Sequence, residues 1–203
     1  MTIKYNKTFI PQRADPYIVR SEDGTYYFTA SIPSYDGIIL RHADTIAELA
    51  DAQEIEIWHK HEKGIMSIHV WAPEMHYLQG SWYMYYSAGD IDDIWAIRPY
   101  VLKCTGSNPL TDKWIECGPM QAANEDEFSF TAFSLDATIF ENNGKHFYIW
   151  AEKVGTGKQI SNLYIAEMET PIKLGTVQEL LTTPDYKWER VGFWVNEGPA
   201  VIK

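Results

Sequence analysis

The 203-residue chain is short of positive charge, of cysteine and of long apolar runs. Lys and Arg number 17 against 28 Asp and Glu, a formal net charge of −11. Such a surface repels polyphosphate backbones and anionic lipid, so no nucleic acid and no membrane is expected as a partner. No apolar stretch approaches the roughly 20 residues that a membrane-crossing helix needs. The two cysteines, Cys104 and Cys117, form no metal motif and are expected as free thiols. His59, Lys60 and His61 have no metal-ligand pattern either, and no metal site is expected. The opening Met1-Thr2-Ile3-Lys4-Tyr5-Asn6 has no basic segment followed by an apolar one, which predicts a cytoplasmic protein. Helical periodicity is scarce: only Thr45 to Ala52 reads as helical, and weakly.

Aromatic residues, by contrast, are plentiful, with eight Trp and thirteen Tyr. They favour strands, and sugar-binding clefts use them as well. Many fall in three related segments: Asp15 to Thr29, Ala72 to Tyr86 and Asp136 to Trp150. Each is a short apolar strand, a polar turn ending in Gly24, Gly80 or Gly144, and an aromatic strand. Glu22-Asp23-Gly24 and Asn142-Asn143-Gly144 are hairpin signals, because Asn and Gly tolerate positive φ. A fourth copy begins at Glu197. Runs at Ile38–His42, Tyr100–Cys104 and Leu163–Glu167 read as third strands, and Trp58, Trp114 and Trp188 mark expected outer fourth strands.

The copies start at 15, 72, 136 and 197, about 60 residues apart. Four strands per repeat of that length describe a propeller blade with long loops. A two-sheet sandwich requires no such repeat. The expected fold is therefore all-β. Residues 1–203 form a partial propeller domain, with three blades and the first strand of a fourth.

First strands of blades line the central channel, so equivalent positions ring its axis. Those positions hold Asp15, Ala72, Asp136 and Glu197. A lone Asp at a strand start is usually a turn former. Three carboxylates in one register instead suggest an active site. Carboxylates facing each other across a channel suit glycoside hydrolysis of a neutral substrate. One acid protonates the leaving oxygen, and one carboxylate lies opposite with room for a water between them in inverting enzymes. A third carboxylate near the acid would raise its pKa and keep it protonated.

Four motifs in order, Ala14-Asp15-Pro16-Tyr17, Trp71-Ala72-Pro73-Glu74, Ser134-Leu135-Asp136-Ala137 and Asn196-Glu197-Gly198-Pro199, resemble glycoside hydrolase family 43. The resemblance implies a five-bladed propeller. It also implies Asp15 as general base, Glu197 as general acid and Asp136 as the residue that tunes the acid. The stretch Tyr26 to Asp36, with Trp71 to Glu74, looks most like α-L-arabinofuranosidases; β-xylosidases and endo-arabinanases share the core motifs. The fructan-cleaving families 32 and 68 share the three-carboxylate layout, but their Asn-Asp-Pro and Arg-Asp-Pro signatures are missing here.

The expected substrate is a neutral arabinose- or xylose-containing oligosaccharide, cleaved without a cofactor. In many members a structural ion sits near the channel axis beside a fifth-blade His. Trp71, Asp36 and Phe133 are candidate substrate contacts. Each has an ordinary alternative: blade packing, a solvated loop and a core phenylalanine. His69 and Glu74 are expected in structural hydrogen bonds. Three and a fraction blades leave open edges, so self-association or completion by a second chain is expected.

Overall fold

The computed structural model describes residues 8–153 and 159–202; the Met1–Asn6 stretch behind the cytoplasmic expectation lies outside them. Three antiparallel sheets follow one another along the chain. The first holds β1 (Ala14–Arg20), β2 (Tyr26–Ser31), β3 (Gly37–Ala43) and β4 (Ile55–His59). The second holds β5 (Ile68–Leu78), β6 (Ser81–Asp90), β7 (Asp93–Cys104) and β8 (Trp114–Pro119). The third is built on β9 (Ser134–Asn142), β10 (Lys145–Lys153) and β11 (Gln159–Thr170). The edge of β11 is shared by β12 (Lys173–Leu174), β13 (Glu179–Thr182) and β14 (Trp194–Val195). No α-helix occurs among the described residues; the weakly helical stretch is a single 3-10 turn, Ala47–Ala50.

Local sequence explains the hairpins. Gln79-Gly80 and Asn143-Gly144 both take positive φ, as two-residue turns matching strand twist require. Alternation explains the aromatic second strands. In β6, Trp82, Met84 and Tyr86 pack toward blade one, while Tyr83 and Tyr85 pack toward blade three. A strand covered on both faces reads as a continuous apolar run, as Trp82 to Tyr86 does. The first interface gathers Tyr27, Ile38, Leu40, Val70 and Met75 around those β6 side chains. The second gathers Leu78, Ile139, Tyr148, Trp150 and Leu174. Strands β1 and β2 meet β5, and β5, β6 and β7 meet β9, so the first strands come together on one side.

The structure corrects two expectations. Trp188 is not on an outer strand: it lies in a 3-10 turn, Lys187–Arg190, and is 74% exposed. The outer strand is β13, which pairs with β11 through Leu163–Thr182 and Ile165–Glu179. Pro184 follows two residues past its end and keeps the ladder from continuing, because proline has no N–H to donate. The Glu197 segment is also not a strand among the described residues, since no second strand lies beside it to complete a ladder. It hangs from β14, which runs parallel to β11 just past β13, with Asn196 N–H donating to the Ser161 carbonyl at 3.2 Å.

Candidate active site

The first strand of each blade carries the same defect at the same place. Asp15, Ala72 and Asp136 all have left-handed backbone, with φ of 48°, 45° and 49°. The ladder breaks beside each one: between Ala14 and Tyr17, between Trp71 and Glu74, and opposite the Ile149–Ala151 step. Such a bulge bends the strand and re-aims a side chain. The register inferred from repeats is thus mirrored in backbone conformation. The start of each first strand lies beside the end of the second, through Ala14–Ser31, Trp71–Ser87 and Leu135–Ala151. The β2–β3 and β6–β7 connections therefore lie at the same end as the carboxylates.

Asp15 and Asp136 line one cavity of about 1140 Å³, together with Tyr17, Glu74, His76 and Gly198. Glu197 adjoins Gly198, which has φ 60° and donates its N–H to the Asp136 carboxyl. Burial, then the charges of Glu197 and Asp15, push Asp136 up to about 7. Burial and the charge of Asp15 raise Glu197 above the ordinary carboxylate range. The three carboxylates predicted from the repeat are therefore close enough to sense one another. The sequence argument expected the raised pKa on Glu197. The direction is met, but the large displacement falls on Asp136. Asp136 sits between buried Leu135 and Ala137 on β9, whereas Glu197 is exposed on the tail.

Beneath the bulges, Glu74 Oε2 lies 2.9 Å from His76 Nε2, and His76 Nδ1 is 3.4 Å from the Tyr17 hydroxyl. Glu74 thus joins the hydrogen-bond network expected of it. Above them runs an arc of rings. Tyr35 packs edge-on against Trp71, with centroids 6.1 Å apart. His69 lies between Trp71 and Trp95, at 4.6 and 5.8 Å. Trp95 meets Phe133 at 6.2 Å. Trp71 and Phe133 are thus half-buried in one aromatic row, and Phe133 also packs on Ile97, Leu135 and Ala151. His69 belongs to that ring row rather than to the hydrogen-bond network expected of it. Asp36 sits in the β2–β3 turn and accepts a hydrogen bond from Ser34 Oγ.

Two residues escaped the sequence argument. Trp95 is 61% exposed, set between His69 and Phe133 in the arc, and no motif marks it. Ser31 is buried at the end of β2 and donates its hydroxyl to Asp15 Oδ2 at 2.8 Å. Elsewhere, His61 and Trp58 of blade one both reach Glu116 of blade two, a tie between sheets far from the channel. Cys104 and Cys117 are free, and burial pushes both thiols up.

Residues 5–203 match the family described as Glycosyl hydrolases family 43. The chain is 43% identical, over its whole length, to an extracellular exo-α-(1→5)-L-arabinofuranosidase of Streptomyces avermitilis. It is 42% identical, over 98% of its length, to an enzyme of the same name from Streptomyces chartreusis. It covers 41% and 59% of those two proteins. Among solved structures it resembles an α-L-arabinofuranosidase from Lactobacillus brevis, with TM-score 0.87 and 44% identity over 96% of this chain and 61% of that one. Solved family members are β-propellers, the arrangement these three sheets follow. Two relatives are named extracellular, which overturns the cytoplasmic expectation; that reading rested on the opening residues alone. With four motifs in order, a shared bulge register and a match from residue 5 to residue 203, this chain belongs to glycoside hydrolase family 43.

Proposed function

We propose that this chain is part of an inverting, exo-acting α-L-arabinofuranosidase. It would release terminal arabinofuranosyl residues from arabinan or arabinose-substituted hemicellulose. The observation that carries the reading is the convergence of Asp15, Asp136 and Glu197 on one channel, two of them from matching bulges. The arabinofuranosidase names of relatives at 42–44% identity support the sugar.

In this reading Asp15 takes a proton from water as the water oxygen attacks the anomeric carbon. Glu197 gives its proton to the glycosidic oxygen, the C–O bond breaks, and the released sugar carries inverted configuration. Asp136, held by the Gly198 N–H, keeps a carboxyl beside the acid, while burial and the charge of Asp15 hold the proton on Glu197. Trp71 and Phe133 wall the sugar pocket, and Asp36 binds a hydroxyl at its rim. Proton transfer from water to Asp15 and from Glu197 to the glycosidic oxygen needs no cofactor. The axial ion implied by the resemblance would take a His from a fifth blade; among the described residues no group of three or more potential ligands occurs.

Five blades of about 60 residues make a propeller of roughly 300 residues. The outer face of blade three, around Leu180, Leu181 and Phe193, would then pack on a fourth blade from a longer chain or a second polypeptide. Closure would bury Glu197 further and strengthen its role as acid.

The test is an assay of the complete enzyme on aryl α-L-arabinofuranoside and aryl β-D-xylopyranoside, with the product anomer followed by proton NMR. Preference for the arabinofuranoside and an inverted first product are expected. Xylose preference would favour the β-xylosidase reading, and a retained anomer would sink the water-attack scheme. Turnover on neither sugar would favour a carbohydrate-binding propeller.

A further inference from the structure

Blade two is the odd one in the ring, because Ala72 stands where blades one and three carry aspartates. Yet Ala72 keeps the left-handed bulge, with φ 45°. Its N–H leaves the β5–β6 ladder, which is interrupted between Trp71 and Glu74. That N–H donates across the blade boundary to Ser31 Oγ at 2.8 Å, and Ser31 Oγ donates to Asp15 Oδ2, also at 2.8 Å. Ser31 is 2% exposed.

A serine hydroxyl has one proton and two lone pairs. A backbone N–H can only donate. Once Ser31 Oγ accepts from Ala72, its proton is directed at the carboxylate. The register makes this contact peculiar to blade one. Ser31 stands opposite Ala14, and the corresponding positions are Ser87 opposite Trp71 and Ala151 opposite Leu135. Blade two has a serine but no aspartate, and blade three an aspartate but no serine.

We infer that Ser31, oriented by the Ala72 N–H, is a positioning residue for Asp15. It fixes one oxygen of the carboxylate a base requires and leaves the other for the attacking water. Opposing that charge are Asp136 on β9 and Glu197 on the tail. Glu74 and His76 on β5 and Tyr17 on β1 line the same cavity. A donor on Asp15 alone thus separates two aspartates that share a backbone setting.

The inference rests on Asp15 as base, and the experiment separates the two. Ser31→Ala, Ser31→Cys and Asp15→Asn are made in the complete enzyme. Ser31→Ala should lower kcat about 10- to 100-fold with KM within about twofold. Ser31→Cys, of similar size and a weak donor, should fall between and guards against a folding defect. Carbon-13 NMR of labelled aspartate carboxyls reads the same contact without turnover, with the Asp15 carboxyl resonance displaced in Ser31→Ala while that of Asp136 stays in place. Wild-type kcat and an unmoved Asp15 carboxyl resonance in Ser31→Ala would overturn the inference while leaving Asp15 as base. High turnover in Asp15→Asn would instead overturn the reading of Asp15, and the inferred role with it.

Discussion

Replacing Asp136 by asparagine should make the protein more stable and less active, and the stability gain should depend on pH in one direction only. The Asp136 carboxyl is raised from 3.8 to about 7 in the folded chain. An acid whose folded pKa lies above its unfolded value binds more protons in the native state between those two pH values, so stability falls as pH rises through that window. A shift of about three units corresponds to about 4 kcal/mol, reached above pH 7 and absent below about pH 4. Water in the open channel screens part of this, which leaves about 2–4 kcal/mol. Asparagine keeps the size, keeps an oxygen for the Gly198 N–H and removes the charge. Urea unfolding of wild type and Asp136→Asn at a series of pH values should give coincident stabilities near pH 4 and a gap of about 2–4 kcal/mol near pH 8. Turnover should drop, because the site loses a carboxyl beside the acid. A stability difference that stays flat from pH 4 to pH 8 would refute the electrostatic argument.

Trp95→Ala should raise KM for arabino-oligosaccharides several-fold while leaving hydrolysis of a small alkyl arabinofuranoside nearly unchanged, since this indole is the most exposed ring of the aromatic arc; equal losses on both substrates would argue for a packing role. The isolated 203-residue chain should self-associate in light scattering and turn over poorly, because Leu181, Trp188, Phe193 and Ile202 are exposed around the β11 edge. A stable, fully active monomer would contradict the five-blade proposal.

The fold was legible where physics is local. Asn143-Gly144 announces its own turn, and the run from Trp82 to Tyr86 announces a strand covered on both sides. The carboxylate ring was legible because repetition put Asp15, Asp136 and Glu197 in register. What escaped depends on contacts distant in sequence. Ser31 meets Asp15 and Ala72, 16 and 41 residues away, and no periodicity records such a pairing. Trp188 misled because an aromatic ring marks a strand only when a neighbour covers it, and the local signal was Pro184 instead. Asp136 rather than Glu197 took the large pKa shift because burial decides it, and burial is settled by the packing of β9 against blade two.

The three bulges also separate scaffold from chemistry. Left-handed backbone at a non-glycine residue is strained, and aspartate tolerates it better than alanine does. If the bulge served only to aim carboxylates, position 72 would have no reason to retain it. Ala72 retains it with a φ within a few degrees of the other two. In blades one and three the bulge turns a side chain toward the channel. In blade two it frees a backbone N–H that reaches Ser31 and, through it, Asp15. One backbone distortion thus supplies the channel with acids at two positions and with the donor that orients one of them at the third. The alanine is part of the site although it carries no functional group.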